Sequence, residues 1–352
     1  MRHLPVCATR MSGKACMLPH LAIRRATAHP ADYLAVAAFH RLTGETATPD
    51  DLLAFDRTCE RSGAHSWRYL AQDHAGTTLG VAHFFPVTWR KEPGTYWIAA
   101  RVRRDYERQG IGSALLAQME ADLGVLGARA MWLMVPEEQP EIMAALQRRG
   151  FREQMRSHPF TLEVAQAPSL QLEARLERLA THGLRVRTLA DCRAEDPDWL
   201  ERIYALHAAI TREVPIPEKI FVTREEFAAF AVEAPDALLD AFFVVCAGTE
   251  YVGLSFMQRR AANPGTLYQE LTGTLPAYRG LGLAHTLKEL TIDYALRHGY
   301  QRIVTWVEDT NSGMVAINQR YAFVREAGLV LLERPVAPAV MLEPAQVQVA
   351  AR

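Results

Sequence analysis

The chain has 352 residues, 22% charged and 49% apolar, a balance that excludes a disordered or collagen-like polymer and, against about 150 residues per domain, leaves room for two cores. Lys and Arg total 39 against 40 Asp and Glu, so the net charge of −1 offers no basic excess for a nucleic-acid backbone. The longest stretch without a charged residue, 74–89, contains Gly76, Gly80 and Pro86 and falls short of the roughly 20 apolar residues of a membrane span.

Read in chain order, residues 1–20 lack the apolar run of a secretion signal and are expected to form a disordered extension of a cytoplasmic protein. LAIRRAT predicts an opening strand, and YLAVAAFHRL (33–42) and TPDDLLAFDRTCE (48–60) predict helices. WRYLAQ and TTLGVAHFF alternate as strands joined by a Gly-containing turn, and TYWIAARV continues the sheet. A glycine-bearing loop then opens a helix whose Leu115, Met119, Leu123 and Leu126 share a face, with Gly127 as its stop. The apolar strand MWLMV, a last helix and further strands complete the half. Residues 166–183 carry leucines near helical spacing and predict a linker helix.

The order then repeats. LRVRTLA opens, WLERIYALHAAI (199–210) and TREEFAAFAVE (223–233) follow as helices, and Thr223 three residues before Glu226 is a capping-box pattern. Gly76 and Gly248, Gly110 and Gly282, and Phe151 and Phe323 all match at an offset of 172 residues. Three matches at one offset, near half the length, mark a tandem duplication. The expected domains are 21–165 and 184–335, each an α+β unit of helices on a mixed, mostly antiparallel sheet, with a tail over 336–352.

Five cysteines without a CxxC spacing and 12 histidines without an HxxxH pattern supply no metal framework, so no metal is expected. The glycine loops carry more. Glycine allows close backbone approach, and the first turn of the following helix presents unpaired amides and a partial positive charge, a site for phosphate. The loops lack the full GxGxxG of a dinucleotide fold and the lysine of a P-loop.

LTGTLPAYRGLGLAHTLK, with Arg279, Gly280, Gly282 and Ala284 in an RxxGxA pattern, resembles the signature loop of the GNAT superfamily of acyl-CoA-dependent N-acyltransferases. GYQRIVTWVEDTNSGMVAINQRYAFVRE resembles the strand, Asn and helix-closing Phe that follow it there. ERQGIGSALL echoes the loop in the first half, with Glu107 in place of the usual Arg or Gln. Two such folds in tandem are similar to the mycothiol-synthase arrangement.

The resemblance implies acetyl-CoA as the acyl donor and the amine of a small molecule as acceptor. Thr272, Gly273 and Thr274 would pair with the pantetheine arm. Loop amides from Arg279 through Gly280, Leu281, Gly282, Leu283 and Ala284 to His285 would hold the diphosphate, and Asn311 would help fix the cofactor. In the first half Ala100 to Val102 and Arg108, Gln109, Gly110, Gly112 and Ser113 are the equivalents. Glu270, on the strand before the loop, is the candidate base; the mycothiol-type position two residues earlier holds Tyr268. Ile98 takes the place of Glu270 in the first half, so the second half is expected to be catalytic and the first degenerate. The family's usual acid, a Tyr five residues before the helix-closing Phe, falls on Asn318 and Leu146, which leaves Tyr321 as the nearest candidate hydroxyl. Glu213, Ile216, Glu218, Trp97 and Trp306 are further candidates for the acceptor cleft. A monomer acting as an internal pseudo-dimer, or a homodimer, is expected. The alternative is a non-enzymatic acyl-CoA-binding or regulatory protein, motivated by the missing Tyr.

Overall fold

A computed structural model describes residues 21–42, 47–61, 63, 65–88, 93–214 and 222–337. The expected N-terminal extension, most of the tail, Ile216 and Glu218 lie outside them. The first half of the chain runs β1 (Ala22–Arg25), α1 (Pro30–Leu42), α2 (Pro49–Arg61), β2 (Trp67–Gln72), β3 (Thr78–Pro86), β4 (Thr95–Val102), α3 (Ile111–Val125), β5 (Ala130–Pro136), α4 (Pro140–Gln147) and β6 (Arg152–Glu163). The second runs α5 (Leu172–Thr181), β7 (Leu184–Thr188), α6 (Leu189–Glu195), α7 (Trp199–Glu213), α8 (Arg224–Ala231), β8 (Ala237–Ala247), β9 (Glu250–Gln258), β10 (Thr266–Thr274), α9 (Leu283–Arg297), β11 (Arg302–Glu308), α10 (Ser312–Arg320), β12 (Val324–Arg325) and β13 (Leu329–Pro335). Among the described residues no helix is long and apolar enough to cross a membrane.

The elements form two compact units, and the order of strands in each explains where the chain divides. In the first unit the strands lie β1-β2-β3-β4-β5-β13, and in the second β6-β11-β10-β9-β8-β7. The final strand of each sequence half therefore belongs to the sheet of the other unit. Boundaries drawn at 165 and 335 follow chain order, whereas the compact units change hands after Gln154 and after Val330. Linear order cannot reveal this, because β6 and β13 read simply as apolar strands.

The second unit is a three-layer sandwich. β8 alternates as a strand must: Phe243 and Val245 join the core under α9, while Phe242, Val244 and Cys246 join the core under α6, α7 and α8. Thr223 and Glu226 close a capping box at the start of α8, as their spacing predicts. Helix α6 was not expected, since LRVRTLA reads as one strand. Thr188 ends the strand by capping the helix, accepting from the Asp191 N–H while the Asp191 carboxylate accepts from Thr188. Helix α5 is tied to this unit by Arg175, whose Nε lies 2.6 Å from Glu289 Oε1 on α9.

In the first unit α1 and α2 pack Val36, Phe39 and Leu52 on Leu70 and Val81, and the Tyr69 hydroxyl on the other face donates to Asp122 of α3 (2.7 Å). Leu331 and Leu332 of β13 are buried beside β5. Truncating Leu332 to Ala should cost about 2–5 kcal/mol. Hydrogen exchange should then accelerate in Ala130–Pro136 and leave β10 protected; acceleration confined to β10 would place β13 elsewhere.

Candidate functional site

In the second unit β10 leaves one neighbour part-way along its length. Its parallel ladder with β11 runs from Thr266↔Arg302 to Gln269↔Thr305, yet β10 continues on β9 to Thr274 and β11 continues on β6 to Glu308. The Thr305 hydroxyl donates to the Gln269 carbonyl (3.1 Å) at the last shared position. The register of β10 on β9 shifts between Gln269 and Leu271, which makes Glu270 a bulge residue at the point of divergence. Thr272, Gly273 and Thr274 pair with Ser255, Leu254 and Gly253, and their other edge has no ladder partner on β11. An edge of that kind offers backbone donors and acceptors to an extended ligand. Gly273 is required by packing: a Cβ there would collide with Ile210 Cγ2 of α7.

Strand alternation sorts the side chains around this gap. On the α7 face, Arg260 Nη2 lies 3.3 Å from Glu270 Oε1, and the same guanidinium sits 3.7 Å over the Tyr268 ring. Asn263 Nδ2 donates to the Tyr268 hydroxyl (2.9 Å). Trp306, 38% exposed, and Glu308, whose carboxyl is raised above its ordinary range by burial, alternate with the core residues Ile303 and Val307 of β11. His207 of α7 packs its ring 4.6 Å from that of Phe227, and burial draws its pKa down to about 4, so it is neutral at pH 7.

On the α9 face a buried polar seam underlies the strand. Gln269 Nε2 donates to Ser255, Thr272 and Thr291, at 2.9, 2.8 and 3.2 Å, and Gln269 Oε1 accepts from Lys288. Lys288 is 1% exposed, its Nζ lies 4.4 Å from the Phe323 ring centroid, and burial draws its pKa down to about 7. Neither Gln269 nor Lys288 was singled out from sequence. The available signal was the stripe Ala284, Lys288, Thr291 and Ala295, which surrounds one lysine with small residues at helical spacing.

A single 3-10 turn at Pro276–Tyr278 leads from β10 into the loop, where Gly280 (φ 81°) and Gly282 (φ 91°) are left-handed and Gly282 caps α9. The first amides of α9 are left for a ligand or water, as at any helix start. Arg279, beside them, makes an exposed ion pair with Glu213 (3.4 Å). Asn311 caps α10, its side-chain oxygen accepting from the Met314 N–H (3.3 Å). Tyr321 is drawn inward: it is 3% exposed, its hydroxyl donates to Glu289 (2.8 Å), and burial raises its pKa above the ordinary range. That placement fastens α10 to α9 and commits the hydroxyl to a carboxylate.

The first unit has the same plan with different contents. The β4–β5 ladder ends at Trp97↔Trp132, but β4 pairs with β3 without interruption from Val102 to Tyr96, so there is no bulge. Ile98 is buried where Glu270 stands, and Trp97 and Trp132 meet edge to face, 5.5 Å between ring centroids. Gly110 (φ 89°) caps α3 as Gly282 caps α9, whereas Arg108 (φ 63°) occupies the left-handed position held by Gly280. A left-handed non-glycine costs about 1–2 kcal/mol. Ser113, in the first turn of α3 beside Gly112, accepts from Arg149 Nη2 (2.7 Å), and the Gln109 amide donates to the Asp105 carbonyl (3.3 Å). Ala100 faces Ala82 on β3.

The family model described as "Acetyltransferase (GNAT) family" matches this chain twice, over residues 35–151 and 201–323. Among solved structures, a GCN5-related N-acetyltransferase from Sphaerobacter thermophilus is 15% identical, with a TM-score of 0.63 over 92% of this chain and 98% of its own. A tandem GNAT protein from the clavulanic acid biosynthesis pathway is 14% identical, with a TM-score of 0.60 over 91% and 99%. A glucosamine N-acetyltransferase region of a fungal multi-domain β-N-acetylglucosaminidase is 13% identical, with a TM-score of 0.67, and this chain covers 38% of that one. At these identities the likeness is one of fold. No curated protein matches the sequence.

The Lys288 ammonium leads to a pH test. Its folded pKa of about 7 lies below the unfolded value of 10.5, so between them the unfolded chain holds a proton that the folded chain lacks. Raising the pH through that window should stabilise the wild type relative to Lys288→Met by up to about 1.4 kcal/mol per unit. Urea unfolding at pH 7 and pH 9 measures it, and parallel curves for the two proteins would mean that the folded lysine stays charged.

Proposed function

Because the chain belongs to the GNAT acetyltransferase family, its two halves each matching that family's model, we propose that it is an acetyl-CoA-dependent N-acetyltransferase acting on the amine of a small molecule, with the chemistry in the second unit. The observation that carries this assignment is the bulge: Glu270 stands where β10 and β11 part, whereas the first unit offers Ile98 on an unbroken strand. Acetyl-CoA supplies an acyl group already activated as a thioester. The free edge of Thr272, Gly273 and Thr274 suits its extended arm, and the left-handed loop from Arg279 to Ala284 suits its diphosphate. The fit is one of chemistry: backbone donors and acceptors along one strand, then a cluster of amides at a helix start.

Glu270 accepts the proton that an ammonium group must lose before it can attack. Arg260 holds the carboxylate from the β9–β10 loop, and Tyr268, Trp306 and Glu308 give the same face the mixed acidic and aromatic character that attracts a cationic amine. Water protonates the departing thiolate, since Tyr321 is committed to Glu289. The first unit is read as degenerate: it keeps Gly110 and Gly112 but carries Arg108 in a glycine conformation. A second reading, an acyl-CoA-binding or regulatory protein without turnover, is favoured by that same commitment of Tyr321.

Thiol release from acetyl-CoA over a panel of small amines separates the two readings. For an enzyme, Glu270→Gln should lower turnover about 100-fold or more and leave acetyl-CoA affinity nearly unchanged. Full activity in Glu270→Gln, with loss in Gly110→Ala, would move the chemistry to the first unit. Tight binding without release on any amine would establish the regulatory reading.

A further inference from the structure

One buried side chain on α10 has no partner among the described residues. Asn318 is 0% exposed, and neither its Oδ1 nor its Nδ2 makes a hydrogen bond. Its backbone is satisfied, the carbonyl accepting from the N–H groups of Tyr321 and Phe323 (3.1 and 3.0 Å). Leaving a buried polar group unpaired costs about 1–3 kcal/mol, and such groups are few in folded proteins. The contrast with the surroundings is sharp. Gln269, Ser255, Thr272 and Thr291 satisfy one another, Lys288 donates to Gln269, and Tyr321 donates to Glu289. A leucine would fill the buried Asn318 position with no polar atom to desolvate.

The location narrows what the amide awaits. Asn318 lies one helical turn before Tyr321, whose ring lies 5.8 Å from that of His285 in the first turn of α9. His285 Nδ1 is itself buried without a partner. Two orphaned polar side chains thus belong to the short stretch of α9 and α10 that adjoins the glycine loop, whose Gly282 caps α9.

Asn318 lacks both a donor for its oxygen and an acceptor for its nitrogen. Within acyl-CoA the diphosphate and the thioester only accept, whereas each amide of the pantetheine arm has both an N–H and a carbonyl. We propose that Asn318 binds the pantetheine arm of acyl-CoA, whose amides and hydroxyl can both donate and accept. This rests on the acyl-CoA reading above and extends it to a side chain that neither donates nor removes a proton. Asn318 is therefore a binding residue: it sets affinity for the arm and for nothing beyond the diphosphate.

The test uses the full chain, with calorimetric titration of acetyl-CoA and of 3′-phospho-ADP, the fragment that ends at the diphosphate, and with thermal unfolding of the unliganded protein. Asn318→Leu should raise the unliganded Tm by about 2–4 °C. It should weaken acetyl-CoA about tenfold and leave 3′-phospho-ADP unchanged. Asn318→Ala, which leaves space in place of the amide, should show the same split between ligands even if its Tm falls. Unchanged acetyl-CoA affinity in both variants, or equal weakening of both ligands, would overturn the proposal. A wild type that binds neither ligand would instead overturn the acyl-CoA reading itself.

Discussion

The second unit depends on a sheet that is only partly closed. A β-sheet gains from pairing every backbone group, and two neighbouring strands that stop pairing leave polar edges exposed inside the fold. Here the separation is held from both faces. The Thr305 hydroxyl and the Gln269 carbonyl mark its apex, the bulge at Glu270 twists β10 away, and the Gln269 side chain anchors the strand to α9 through Lys288 and Thr291. Ile210 of α7 closes against Gly273 from the other side. The gap is thus an enforced feature of the packing, and the loop that follows it places a helix start at its mouth.

Duplication allows the same constraint to be seen with two different sets of side chains. The first unit retains the ladder that ends early and the left-handed Gly110, so its backbone plan has persisted. What differs are the side chains placed on that plan. Where the second unit has a carboxylate, a bulge, a polar apex and a glycine, the first has Ile98, regular pairing, a tryptophan pair and Arg108 in a conformation that arginine adopts at a cost.

Much of this was legible in the sequence because it is local. Loop glycines, the capping box at Thr223, the Gly127 stop and the period-2 strands are each written in a few consecutive residues. The repeat at an offset of 172 then made one half a guide to the other. What stayed hidden depends on partners far away in the chain. Nothing near Glu270 announces a bulge, since the shift is defined by β9. Tyr321 reads as a free hydroxyl until Glu289, on a different helix, is seen to accept from it. The residence of β6 and β13 in each other's expected sheets is of the same kind, a matter of pairing and not of composition.

That exchange of final strands bears on how the polypeptide matures on the ribosome. Domains usually fold in turn as they emerge, the N-terminal one first. Here the earliest-made unit lacks its sixth strand until Leu331–Pro335 have been synthesised, so β5 waits as an open edge through the translation of nearly all of the other unit. A ribosome stalled short of β13 would hold a nascent chain with an unfinished sheet, and the codons of β13 become the ones on which the first unit's completion turns.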